Sequence, residues 1–397
     1  MLDDLKMEQF LPADGLAGSL IGRAWLPASF TGSIAGPSPV VLKPQGVFDL
    51  SNIAPTTAEL INRNFAVHDY DIESLARIGS YEDIMQNTMS SVRDIKTPYF
   101  LSPLDLQAIK ACGVTFMCSM LERVIEERAG GDASRAEAVR EKINNGIGVD
   151  VNTIKPGSRE AENLKVILQA EGLWSQYMEV GIGPYAEIFT KSQPMSSVGS
   201  GEKIGILPIS SWNNPEPEIV LVVNSSGQVL GATLGNDVNL RDIEGRSALL
   251  LGKAKDNNAS CSLGPFIRLF DETFSIEDVR SAEVSVKVEG AADDFVLNDK
   301  SDMTKISRDV LDLVGQTISE THQYPDGLAL FTGTLFAPTQ DRDSNGMGFT
   351  HKIGDVVTIA SDKLGALQNT VVLCHDAPSW NFGITALMRN LAQRQLL

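Results

Sequence analysis

An α+β protein is what this sequence predicts, and three observations predict it. Short apolar segments broken by Gly, Pro and Ser fill residues 1–103, a signature of strands and turns. From Leu104 to about Arg140 apolar residues recur at helical spacing, at Ile109, Val114, Met117, Leu121 and Ile125. From Ala186 onward the chain turns β-rich again. These shifts divide the 397 residues into a β-rich N-terminal accessory domain (1–103), a helical connector (104–154) and a second β-rich domain (155–397), a count of domains that suits the length.

Within the first part, Gly18–Trp25, Pro39–Lys43 and Gly46–Leu50 read as strands. A helix is expected after Ala54-Pro-Thr-Thr, with a Thr cap and Glu59 closing a capping box. In the connector, Met117 and Met120 are core filler, Glu126-Glu-Arg begins a charged face, and a second charged helical stretch follows. A further helix spans about Ala161 to Tyr177. Later come an alternating, half-exposed strand from Val284 to Glu289, a helix from Met303 to Glu320, a buried strand from Gly327 to Thr334 and a short C-terminal helix.

The hydrophobic share is 43%, enough for a sizeable core, and the net charge is -18 with a pI near 4.7. Such a charge opposes binding to nucleic acid or to an anionic membrane. It leaves acidic substrates open, because one bound cation reverses the local sign. No signal peptide or membrane-spanning run is expected. Cys112, Cys118, Cys261 and Cys374 are scattered without Cys-x-x-Cys spacing, which fits reduced, buried thiols in a cytoplasmic protein.

The most informative stretch runs from Trp212 to Ile267. Glu216 and Glu218 head an apolar run, and strand alternation puts both carboxylates on one face. Two like charges there repel each other and lose hydration, a conflict that a hard divalent cation resolves. Asp237, at the end of the next apolar run, is the third ligand if the two strands pair. On spacing alone a solvated strand end comes ahead of a metal site.

Resemblance changes that balance. Glu-x-Glu on a strand, then Gly-x-Thr-x-Gly-Asn-Asp-x-x-x-Arg, then Ala-Lys before Leu-Gly-Pro, resembles the fumarylacetoacetate hydrolase family. The resemblance covers residues 155–397 well and implies a mixed β-roll or sandwich catalytic domain. It implies magnesium or manganese on Glu216, Glu218 and Asp237, an active-site lysine at Lys255, and a homodimer or higher homo-oligomer. Glu187-Ile-Phe-Thr-Lys191 resembles the segment that precedes the family's metal strand.

Members share a metal that holds a 2-oxo acid and the enolate charge developing on it, but they differ in reaction. Glu187–Lys191, Trp212–Glu218, Arg241-Asp-Ile-Glu-Gly, His322-Gln-Tyr-Pro-Asp-Gly and the insertion from Leu335 to Lys352 resemble the branch that dehydrates 2-keto-3-deoxypentonates to 2-oxoglutarate semialdehyde. The expected roles follow from this. Glu187 is the lid acid/base, Lys255 neutralises the trio or assists the leaving hydroxyl, and His322 is a further acid/base candidate. Thr334, Lys191 and Arg241 bind the sugar acid. Each has a plainer reading: Glu187 as a strand-end charge, Thr334 as turn chemistry, His322 and His351 as loop or core residues, Arg241 and Glu244 as an orienting pair for the Asp237 loop. Two other functions compete, a C–C hydrolase of a 2,4-diketo acid and a non-catalytic sugar-acid binding protein. A hydrolytic His–Glu lid pair has no evident counterpart, which favours dehydration.

Overall fold

The structure, a computed structural model, describes residues 6–136, 138, 154–170, 172, 174–336, 338–344 and 346–397. Its first strands are β1 (Leu20–Leu26), β2 (Gly36–Lys43), β3 (Gly46–Asp49), β4 (Arg77–Gly79), β5 (Tyr99–Phe100) and β6 (Ala108–Gly113). After a helical excursion come β7 (Glu187–Ser192), β8 (Lys203–Ile206), β9 (Pro217–Val223), β10 (Val229–Asp237) and β11 (Cys261–Leu269). The chain ends through β12 (Glu283–Glu289), β13 (Val296–Asp302), β14 (Leu328–Phe331), β15 (Val356–Ser361), β16 (Gly365–Leu373) and the helix Ile384–Gln393.

The strands form two sheets. The larger has the order β4-β3-β2-β1-β11-β10-β9-β14-β6-β7, with β5 beside β1, and the smaller is β13-β12-β15-β16-β8. Strands β9, β11 and β14 are buried along their whole length. The reason is visible in β9. Ile219, Leu221 and Val223 enter a core shared with the valines of β12, while Val220 and Val222 enter another with Leu60, Ile61 and Phe65. A strand covered on both faces reads as a continuous apolar run rather than an alternating one. By contrast β12 buries only Val284, Val286 and Val288, alternating as expected.

Strands from residues 1–103 extend the sheet that carries Glu216 and Asp237, through the pairing of Leu20 with Arg268 and Ile21 with Ile267. Thr56 caps the helix Thr57–Asn62 by accepting from the Glu59 N–H, but the Glu59 carboxylate turns to Arg63 instead of closing a box. The helical reading from Leu104 fails at its start. Ile109 lies in β6, which runs parallel to β14 in the middle of the sheet, and the helix begins only at Met117. Gly113 and Val114 (φ 56°) break the chain direction between them, which periodicity alone does not reveal. The helix expected at Ala161–Tyr177 is two helices, Arg159–Ala170 and Gln176–Ile182. The one expected at Met303–Glu320 is shorter, Val310–Thr317. The second charged helical stretch and the end of the 104–154 connector fall largely outside the described residues. All four cysteines are free, and Cys118 is exposed rather than buried.

The helices between β6 and β7 have a core of their own, where Met117, Met120, Val124 and Ile125 meet Leu164, Tyr177 and Trp212. A second reinforcement lies in the loop after β14. There Arg342 grips the fully buried Asp355 at 2.6 and 2.8 Å and Asp293 at 2.9 and 3.2 Å, while His351 Nδ1 stands 3.2 Å from Asp355. Burial alone would raise the Asp355 carboxyl, but Arg342 and His351 hold it at about 2. Burial keeps His351 itself low and neutral. Removing one member of such a group leaves an uncompensated buried charge. Arg342→Met should therefore cost about 3–5 kcal/mol, read as a lower urea midpoint, and adding Asp355→Asn should recover part of the loss.

Candidate metal centre and its cavity

Strands β9 and β10 pair antiparallel, and the Asp237 N–H donates to the Glu216 carbonyl at 3.1 Å. That register, with the i,i+2 alternation of Glu216 and Glu218, gathers three carboxylates whose ligand oxygens lie within 4.8 Å of one another, all buried. Each is held from a different side. Glu216 accepts from Arg123 at 2.6 Å and from Lys255. Asp237 meets Lys255 at 3.0 Å and Lys191 at 2.7 Å. Glu218 accepts the Gly333 N–H at 2.6 Å. Gly333 has φ 89°, and a Cβ there would stand 2.0 Å from Thr115 Oγ1, so no other residue presents this N–H as well.

The charges do not balance. Glu122, Glu126 and Glu244 line the same cavity, as does Glu187, giving seven carboxylates with the trio. Facing them are Arg123, Arg241 and Lys255, with Lys191 behind Asp237, four cations against seven carboxyl groups, so the formal charge is negative until some of those carboxyls take up protons. Burial, then Asp237 and Glu216, push the Glu218 carboxyl well above the usual range. Burial would raise Asp237 as well, but Lys191 and Lys255 draw it down. An all-oxygen donor set with an unmet negative charge fits a hard divalent cation on Glu216, Glu218 and Asp237.

The other expected residues divide into those the cavity brings together and those it does not. Lys255, at the end of the helix Leu251–Lys255, faces the trio. Burial would lower its ammonium, but Asp237, Glu216 and Glu244 raise it, so it remains a cation and cannot be the base. Thr334 lines the cavity, and its Oγ1 accepts from the Phe336 N–H at 3.1 Å, leaving its own hydrogen to donate. Glu187 also lines it and, among the described residues, has no hydrogen-bond or ion-pair partner. Burial, and then the charge of Glu244, lift its carboxyl to about 7, with Arg123 and Lys255 acting the other way.

Lys191 does not reach the cavity. It is fully buried, and its ammonium is consumed by Asp237, the Val238 carbonyl at 3.2 Å and the Lys255 carbonyl at 2.6 Å. Buried and committed to these partners, it braces Asp237 from behind and lines no part of the cavity. Arg241 does line the cavity, stacked 4.2 Å over Trp212, but it donates to Glu126 at 2.6 Å, to Glu122 at 3.3 Å and to the Pro338 carbonyl at 3.3 Å. It does not pair with Glu244, which meets Arg123 at 3.2 Å. His322 is exposed, bonded to the Tyr324 hydroxyl at 3.0 Å, and lines no part of the cavity. It precedes β14, whereas the cavity lies past the far end of that strand, at Gly333 and Thr334.

Sequence reasoning missed Arg123 and Glu126. Both sit on the helix Met117–Ala129, where Glu126 is 2% exposed and bonded to Arg123 at 2.6 Å and to Arg241. The signal was the Glu122-Arg123…Glu126 spacing, which puts paired charges on one helical face.

Residues 179–372 match the family model described as fumarylacetoacetate hydrolase C-terminal. Over this stretch, just under half of the chain, the sequence is similar to the fumarylacetoacetate hydrolase family. A probable 2-keto-3-deoxyxylonate dehydratase of Haloferax volcanii is 31% identical over 195 residues, 49% of this chain and 63% of that protein. A 2-dehydro-3-deoxy-D-arabinonate dehydratase of Saccharolobus solfataricus is 33% identical over 185 residues, 47% of this chain and 58% of that protein. The alignments thus span less than two thirds of these curated relatives. A solved 2-keto-3-deoxy-D-arabinonate dehydratase in its apo form shares the family fold at a TM-score of 0.60 and 20% identity, over 89% of this chain and 98% of that one. Another structure of a protein of that name, complexed with magnesium and 2,5-dioxopentanoate, gives 0.59. The α+β architecture is therefore the fumarylacetoacetate hydrolase fold.

Magnesium or manganese should raise the melting temperature of the chelator-treated protein, and Glu218→Gln should abolish that rise. In chelator the variant should be at least as stable as the wild type, since one of three mutually repelling charges has gone. Differential scanning fluorimetry reads both.

Proposed function

We propose that this chain is a metal-dependent hydro-lyase that converts a 2-keto-3-deoxypentonate to 2-oxoglutarate semialdehyde. The observation that carries the reading is Glu187, an unpartnered carboxyl with a pKa near 7 facing the buried trio. Two relatives named as 2-keto-3-deoxypentonate dehydratases support it.

A divalent cation on Glu216, Glu218 and Asp237, magnesium in the first instance, supplies when bound the positive charge that makes C3 of a 2-oxo acid acidic. Glu187 then takes the C3 proton, a task suited to a group titrating near neutrality. Lys255 commits two hydrogens to Glu216 and Asp237 and offers its third to the departing C4 hydroxyl. Thr334 donates to the substrate carboxylate. With water lost, the unsaturated alcohol shifts its double bond toward C5 and tautomerises to the aldehyde.

The cavity encloses about 30 Å³, room for an ion or a water or two and far less than a five-carbon acid. Substrate binding therefore requires the lining of the cavity to rearrange. Positions of the histidines speak against the rival hydrolase. None of His68, His322, His351 and His375 lines the cavity, so a His–Glu pair for activating water is not assembled there. The working form we propose is a cytoplasmic homo-oligomer, at least a dimer, a reading supported by the family resemblance and the four free cysteines.

Incubation of D- and L-2-keto-3-deoxypentonate with protein and magnesium should produce semialdehyde, followed with a coupled dehydrogenase. EDTA and Glu218→Ala should each abolish it, and release of two acids from a 2,4-diketo acid instead would establish the hydrolase. Glu187→Gln should lower kcat by at least about 100-fold while substrate still binds. Because the raised carboxyl must be ionised to act as a base, wild-type turnover should fall as pH drops through about 7, or somewhat lower with the cation bound, and the variant should lack that limb.

A further inference from the structure

A second cleft, of about 330 Å³, lies between β1, the Tyr99 region, the loop around Met195 and the chain before the C-terminal helix. Arg23 of β1 lines it and is only 8% exposed. Its Nη1 donates to the Leu104 carbonyl, while its Nε is buried without an acceptor. Among the described residues it has no ion-pair partner. The acid nearest in influence, Asp105, spends its oxygens on the N–H groups of Thr57 (2.7 Å), Ala58 (3.0 Å) and Leu106 (2.7 Å). Glu202, the one acid that lines the cleft, is taken by Arg93, itself stacked 4.9 Å over Tyr99.

A buried guanidinium with no counter-charge is costly, and nearly every other buried cation of this acidic chain has a carboxylate. The walls beside Arg23 are aromatic. Trp25 and Phe382 meet edge to face at 5.4 Å, and Trp380 keeps 47% of its surface exposed. With Nη1 on Leu104 and Nε enclosed, Nη2 is the donor left to a ligand, and a guanidinium N–H beside flat apolar faces suits an anionic carboxylate attached to a ring.

We propose that this cleft is a second ligand site, which binds a small ring-bearing carboxylate with its charge on Arg23 and its ring against Trp25 and Trp380. The size suits a single small molecule. Nothing in the metal cavity is needed for this binding, so the two sites should load independently.

Benzoate is the probe, with neutral benzamide as its isostere, titrated into the full chain and followed by calorimetry and tryptophan fluorescence. Benzoate should bind saturably, benzamide at least tenfold more weakly. Trp380→Ala and Arg23→Gln should each weaken benzoate at least tenfold. Should Arg23→Gln fail to fold, the exposed Trp380 and the benzamide comparison still decide the matter. Trp380→Ala should keep the wild-type circular dichroism and the magnesium-dependent rise in melting temperature. Equal binding of benzoate and benzamide, or benzoate binding untouched by Trp380→Ala, would overturn the proposal. So would a wild type that ignores benzoate and an oligomer that dissociates on Trp380→Ala, which would mean that a second copy of the chain covers the cleft.

Discussion

Three carboxylates forced together on neighbouring strands are the constraint around which the site is built. Left alone, Glu216, Glu218 and Asp237 would drive the strands apart. The chain answers with cations from three elements: Lys191 from β7, Lys255 from the helix before β11, and Arg123 from the excursion between β6 and β7. It stops short of neutrality. That residual deficit separates a binding site from a salt-bridge network, since a fully balanced cluster would have little affinity for an added cation. The same deficit acts on Glu187, whose carboxyl is lifted by burial and by Glu244 rather than by a dedicated neighbour.

The trio was legible because each ligand is specified locally. Alternation sets Glu216 beside Glu218, and antiparallel pairing brings in Asp237 once the hairpin at Ser225–Gly227 is recognised. Lys255 was legible only through resemblance, as its approach to Glu216 depends on a helix packed from elsewhere. Lys191 was expected to face the substrate, yet strand direction could not tell the cavity side of Asp237 from its rear. His322 fails for a related reason. Proximity in sequence to Thr334 is not proximity in space when a buried strand stands between them. The Met117–Ala129 helix taught the reverse lesson. Its charges looked solvated because hydrophobic pattern carries no record of a partner such as Arg241, more than a hundred residues away.

Likewise β6 was hidden in a helical pattern. Its Ile109 and Ala111 face one core and Cys112 the other, so burial on both faces erases the apolar–polar alternation of a strand. Continuous apolar runs in β9 and β14 were easier, because two-sided burial leaves a pattern too short and too uniform for a surface helix.

The register of β6 against β7 places Gly113 directly opposite Glu187. The chain thus leaves the sheet after Gly113 and rejoins it at Glu187 on the same rung, so the helical excursion is an insertion between two paired strands. Such an insertion leaves the strand order unchanged, yet it is tied down at both ends: its Arg123 holds Glu216, its Thr115 donates to the Thr332 carbonyl, and its Val180 and Gly183 carbonyls accept from Arg308. That rung is also where the catalytic candidate sits, and a Cβ on Gly113 would stand 2.0 Å from Glu187 Oε2. A lineage of such proteins could therefore rework the outer helices only while Arg123 stayed on Glu216 and Gly113 left room for the Glu187 carboxylate.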